Sequence, residues 1–89
     1  SKEETSSVLY NPYPNPFIEQ VTIPYFLTTN KMVSLKIMDN SGRLVRSMMQ
    51  EGRAGRNHFI ITNLVSGSEW TFEISTDDWK STGKLISVY

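Results

Sequence analysis

The sequence predicts an all-β domain, an antiparallel β-sandwich of seven short strands. Apolar residues recur at every second position in run after run, the period of a strand with one buried face. Helical periodicity is nearly absent. Short turns rich in Gly, Asn or Ser separate the runs, and strands at this spacing favour a sandwich over a parallel sheet with helical crossovers.

The chain opens Ser1-Lys2-Glu3-Glu4-Thr5-Ser6-Ser7, which is neither an initiator Met nor a signal peptide. Residues 1–7 read as a linker stub, with the folded domain over 8–89 as a piece of a longer protein. A first strand is expected near Val8 to Tyr10. The run Asn11-Pro12-Tyr13-Pro14-Asn15-Pro16-Phe17 follows, with three prolines at alternate positions. Proline fixes φ near about −65° and lacks an N–H, and it pushes the preceding residue towards extended backbone. This stretch therefore reads as a stiff arm on a sheet edge, anchored by Tyr13 and Phe17, with a bend at Asn15-Pro16.

In the second strand Val21, Ile23, Tyr25 and Leu27 alternate with Gln20, Thr22, Pro24 and Phe26. Pro24 marks that part of it as an edge or a bulge. Val33, Leu35 and Ile37 define the third strand. Arg43 to Gln50 forms the fourth, where Val45 and Met48 break alternation and imply a bulge. Phe59 with Ile61, then Trp70, Phe72 and Ile74, give the fifth and sixth. Lys84 to Tyr89 closes the chain, with Leu85 opposite in phase to Ile86 and Val88. Turns are expected at Thr28–Lys31, Asp39–Gly42, Arg53–Gly55 and Val65–Ser68.

Composition narrows the function. Eighty-nine residues make one domain with a modest core and no room for a deep catalytic cavity. Nine Lys plus Arg balance nine Asp plus Glu, so the basic footprint of a nucleic-acid binder is missing. No apolar run approaches the roughly 20 residues that span a bilayer, so no transmembrane segment is expected. Without cysteine, disulfides and thiolate metal sites are excluded.

Catalytic and metal readings fare poorly. His58 is the single histidine and reads as a structural strand residue; no metal, cofactor or catalytic residue is expected. Asp39-Asn40-Ser41-Gly42-Arg43 faintly resembles a calcium loop, but the downstream bidentate Glu is missing. A hairpin explains it better: Asp39 caps, Gly42 takes φ > 0, and Arg43 places its charge near Asp39. Asp77-Asp78 reads as a solvated turn. Trp70 lies on the inward phase and reads as core, whereas Trp79, in a polar turn, is the exposed candidate for ligand binding.

Three segments together resemble one family. Tyr13-Pro14-Asn15-Pro16-Phe17 with Val21-Thr22-Ile23 resembles its opening "YPNPF…TI". Val33 to Val45 resembles its "V-x-L-x-(I/V)-x-D-x-x-G-R-x-V" hairpin. Ala54-Gly55-Arg56-Asn57-His58-Phe59, Leu64-Val65-Ser66-Gly67 and the closing Thr82, Lys84 and Leu85 resemble its later motifs. The chain is thus similar to the C-terminal sorting domains of the type IX secretion system of Bacteroidetes, over about Tyr13 to Tyr89. It departs from them where Ser68-Glu69-Trp70 replaces a direct step to tyrosine, implying a shifted turn, and where it ends without a basic tail. The "D-x-x-G-R" hairpin also occurs in immunoglobulin-like domains of flagellar hook-capping proteins and surface enzymes.

The resemblance implies an immunoglobulin-like sandwich and a non-catalytic address on an exported cargo. Secretion machinery would read the folded domain in the periplasm and carry an N-terminal cargo domain across the outer membrane. A sortase-type peptidase would cut within Lys2 to Ser7 and anchor the cargo at the cell surface. Recognition is expected at Pro14, Asn15, Pro16 and Phe17 with Lys84, Leu85, Ile86, Ser87, Val88 and Tyr89. Asp39, Gly42, Arg43 and Gly67 are expected as turn-makers. The rival readings are an uncleaved structural module of a larger surface or secreted enzyme, and a carbohydrate- or protein-binding module using Trp79.

Overall fold

The computed structural model describes residues 7–64 and 69–87. Its seven strands are β1 (Val8–Leu9), β2 (Gln20–Leu27), β3 (Lys31–Asp39), β4 (Leu44–Gly52), β5 (Gly55–Thr62), β6 (Glu69–Ser75) and β7 (Lys80–Ile86). They form a three-stranded sheet in the order β1-β2-β5 and a four-stranded sheet in the order β4-β3-β6-β7. Every ladder is antiparallel. The fold is the predicted seven-stranded antiparallel β-sandwich, immunoglobulin-like, with the fourth strand paired to the third rather than to the fifth.

The alternation read from the sequence sets the core. Val21, Ile23, Tyr25 and Leu27 face inward from β2, and Phe59 and Ile61 from β5. Against them lie Val33, Leu35 and Ile37 of β3, Trp70, Phe72 and Ile74 of β6, and Leu85 of β7. Each large side chain so buried contributes about 1.5–3 kcal/mol of transfer free energy. Tyr25 is fully buried, and Gln50 Nε2 donates to its hydroxyl at 2.7 Å. Burial pushes the Tyr25 hydroxyl pKa up, against the lowering effect of that hydrogen bond.

Three local features depart from simple alternation. In β4 the register shifts, with Ile37 opposite Arg46 and Met38 opposite Leu44. Val45 is the extra residue, so the bulge sits where the pattern breaks.

Pro24 was expected on an edge or bulge, yet β2 lies between β1 and β5. Its carbonyl accepts from Tyr10 N–H at 3.0 Å, so its missing donor faces β1 and not the long β5 ladder. The β1 ladder stops at Leu9 opposite Tyr25, one step short of the proline.

β7 begins at Lys80, four residues earlier than expected. Lys80, Ser81, Thr82 and Gly83 carry no apolar pattern; their pairing to Phe72 through Ser75 makes them strand. The expected turn at Val65–Ser68, with its Gly67, and the closing Val88 and Tyr89 lie outside the described residues, as do residues 1–6 of the linker stub.

Gly52 is needed for close approach. A Cβ there would lie 2.5 Å from Leu27 Cδ1 and 3.0 Å from Val33 Cγ2. Truncating a residue at the centre of this packing, Leu35→Ala, is expected to lower stability by about 2–5 kcal/mol, read as a lower urea midpoint with unchanged slope.

Candidate functional site

The proline arm bridges the two sheets. Tyr13 N–H donates to Thr22 O at 2.9 Å and Tyr13 O accepts from Thr22 N–H at 2.8 Å, a bridge to the outer flank of β2. The chain then crosses to β7 through two cis peptide bonds, Tyr13-Pro14 and Asn15-Pro16. Phe17 N–H donates to Ile86 O at 2.8 Å, and Phe17 forms a parallel bridge with Ser87. Of the two aromatic anchors, Phe17 alone acts through its ring. It is buried and meets Trp70 at 5.7 Å between centroids, tilted by 40°. Tyr13 is 58% exposed and is held by its backbone.

Asn15 makes the second attachment. Its Oδ1 accepts from Ile86 N–H at 2.8 Å and its Nδ2 donates to Lys84 O at 3.1 Å. One side-chain amide thus offers β7 the donor and acceptor that a pairing strand would offer. It closes an edge that would otherwise present unpaired backbone groups.

Trp70 gathers the separate motifs. On β6 it pairs with Asp39 of β3 on one flank and Leu85 of β7 on the other, while its ring meets Phe17. Asp39 heads the β3–β4 hairpin. Asp39 Oδ1 accepts from Ser41 N–H at 2.9 Å, Ser41 Oγ at 2.6 Å and Arg43 N–H at 3.0 Å. Gly42 has φ of 91°, which favours glycine. Arg43 Nε lies 3.7 Å from Asp39 Oδ2, on an exposed side chain.

These donors hold the Asp39 carboxyl below the usual carboxylate range, the Ser41 hydroxyl first among them. Lys31 does the same for Asp78, which it meets at 3.1 Å while also meeting Asp77 at 2.9 Å.

The structure gathers some expected site residues and separates others. Pro14, Asn15 and Pro16 are exposed and Asn15 meets Lys84 and Ile86 directly, whereas Leu85 belongs to the core. Ser87 is buried beneath the arm. Trp79 is half-buried and packs against the core, so its polar turn does not present a fully exposed ring. His58 is exposed, and its carbonyl accepts from Gln50 Nε2 at 3.0 Å.

Sequence reasoning missed the role of Gln50 and Arg46. Both lie on the inward phase of β4, where Arg46 donates to Thr62 O and to Asn63 O, the latter at 3.2 Å. Polar residues at inward positions of a strand were the available signal. Among the described residues, no helix is long and apolar enough to cross a membrane.

Asn15→Ala is expected to speed hydrogen exchange at the Ile86 amide selectively, and to cost about 1–3 kcal/mol for two hydrogen bonds. Asp39 and Asp78 have depressed folded pKa values. Their stabilisation is therefore present above the ordinary carboxylate value of about 3.9 and lost as pH falls through the depressed values. Carboxyl NMR titration should place both midpoints below that value, and Lys31→Ala should return Asp78 towards it.

A family model described as secretion system C-terminal sorting domain matches residues 11–88. No curated protein matches the chain, and no solved structure does.

Proposed function

Because the chain belongs to the secretion system C-terminal sorting domain family, the type IX address of exported proteins, we propose that it acts without catalysis as the signal read on a cargo in the same polypeptide. The observation that supports this most is the joining of arm and closing strand by Asn15, since it turns two distant segments into one surface. Pro14, Asn15 and Pro16 with Lys84 and Ile86 form the exposed part of that surface. Phe17, Leu85 and Ser87 lie beneath it and hold it in place. Val88 and Tyr89, also proposed for recognition, lie outside the described residues.

In this reading secretion machinery engages the folded domain in the periplasm and carries the cargo across the outer membrane. A sortase-type peptidase cuts within Lys2 to Ser7 and anchors the cargo at the cell surface. Asp39, Gly42, Arg43 and Gly67 serve the fold rather than recognition. The half-burial of Trp79 speaks against the sugar-stacking alternative.

The test is export of a reporter fused ahead of residue 1 in a Bacteroidetes host with this secretion system. The wild-type fusion should reach the cell surface or medium, and deletion of residues 84–89 should leave it inside. That deletion also removes buried Leu85, so a second variant is needed. Pro14→Ser with Lys84→Ser changes exposed groups alone and should lower export while keeping the wild-type melting temperature within a few degrees. Undiminished export by the deletion would sink the reading.

A further inference from the structure

Among the described residues, the edge of β7 is closed over only half its length. Lys84 O and both backbone groups of Ile86 are taken by Asn15 and Phe17. Backbone groups of an edge strand turn to alternate sides at successive residues. Thr82 and Lys80 therefore turn theirs to the same outer side as Lys84 and Ile86.

Beside this stretch lies a cleft of about 530 Å³ between β7 and the start of the arm, walled by Leu9, Tyr10 and Pro12. Phe72 and Gly83 also line it. A Cβ on Gly83 would lie 2.7 Å from Phe72 Cζ, so the ring fills the place a side chain would take.

The solvent side of the same strand is basic. Lys80 and Lys84 side chains are 67% and 66% exposed. Their carboxylate partners, Glu73 at 4.0 Å and Glu69 at 3.3 Å, both stand on the β6 flank. In the structure both ammonium groups lie beside these β6 carboxylates, and such exposed pairs are weak enough for each lysine to turn to a strand added on the cleft side.

We infer that Lys80 to Lys84 is a strand-addition site for an extended acidic segment of another protein, with one large apolar side chain turned into the cleft. The backbone groups of Thr82 and Lys80 supply the hydrogen bonds. A partner residue opposite Gly83 turns inward over Phe72. A carboxylate opposite Thr82 lies diagonal to both Lys80 and Lys84, where opposite charges pair across strands. A second copy of β7 fits poorly, because it would set lysine against lysine. Asn15 fixes where the added strand must stop. The partner's identity as a component of the secretion machinery rests on the sorting reading; the site's chemistry does not.

The test uses the 89-residue chain, isotopically labelled, and a six-residue peptide alternating glutamate with phenylalanine. Amide shifts are expected at Lys80, Thr82, Gly83 and Lys84 and at Leu9 and Tyr10. A peptide with lysine in place of glutamate should bind about tenfold more weakly, and the double variant Lys80→Glu, Lys84→Glu should reverse that preference. Thr82→Pro, which removes an outward N–H, should abolish the shifts while the chain keeps its dispersed spectrum. If that variant unfolds, the charge-reversal pair decides the matter alone. Equal binding of both peptides, or shifts elsewhere on the surface, would overturn the inference. Export separates the two readings: loss of peptide binding with normal reporter export defeats this site's role in sorting and leaves the sorting address intact. A wild-type fusion that is not exported defeats the address and leaves peptide binding measurable.

Discussion

The burial of Phe17 against Trp70 is the contact on which the arrangement of this domain turns. A two-sheet sandwich has two open sides where strand edges meet solvent, and both must be closed. On one side the arm does this, and it can stay there because an aromatic ring at its end sits wholly within the core. The ring's burial holds Phe17 N–H on Ile86 O and so brings Asn15 within reach of Lys84 and Ile86. A stiff, proline-rich segment loses little further conformational freedom on docking, which makes one buried anchor sufficient.

The other open side is closed by different chemistry. There β4 turns Arg46 and Gln50 inward, and these long donors reach carbonyls of β5 and its following residue. Gln50 serves twice, because it also satisfies the hydroxyl of buried Tyr25. One seam thus uses a separate length of chain and the other uses side chains of a strand already in place. The first leaves a gap, at Lys80 to Gly83, since the arm joins β7 near its end.

Family membership and geometry meet at Trp70. The hairpin motif, the closing strand and the arm lie far apart along the chain, yet all three contact this residue or its ladder neighbours. A machine that reads a folded domain needs a surface assembled from such distant parts, because that surface exists only when folding has succeeded. The even charge balance leaves no single-sign field over the whole molecule.

The sequence by itself determined the strands, the core and the turn chemistry. Alternation at Val21 to Leu27, Val33 to Ile37 and Trp70 to Ile74 states which face is buried, because a strand's side chains repeat every two residues. Proline geometry made the arm non-helical, and Asp39 with Gly42 made the hairpin, both through short-range sterics and hydrogen bonding. The first half of β7 stayed hidden because Lys80 to Gly83 bury almost nothing and are strand only by pairing with β6. The placement of Pro24 within an internal strand, the difference between Tyr13 and Phe17 as anchors, and the pairing of Asn15 with β7 were decided by tertiary structure alone. Each depends on which flank of one strand meets another segment many residues away, and periodicity reports the face of a strand but not its flank.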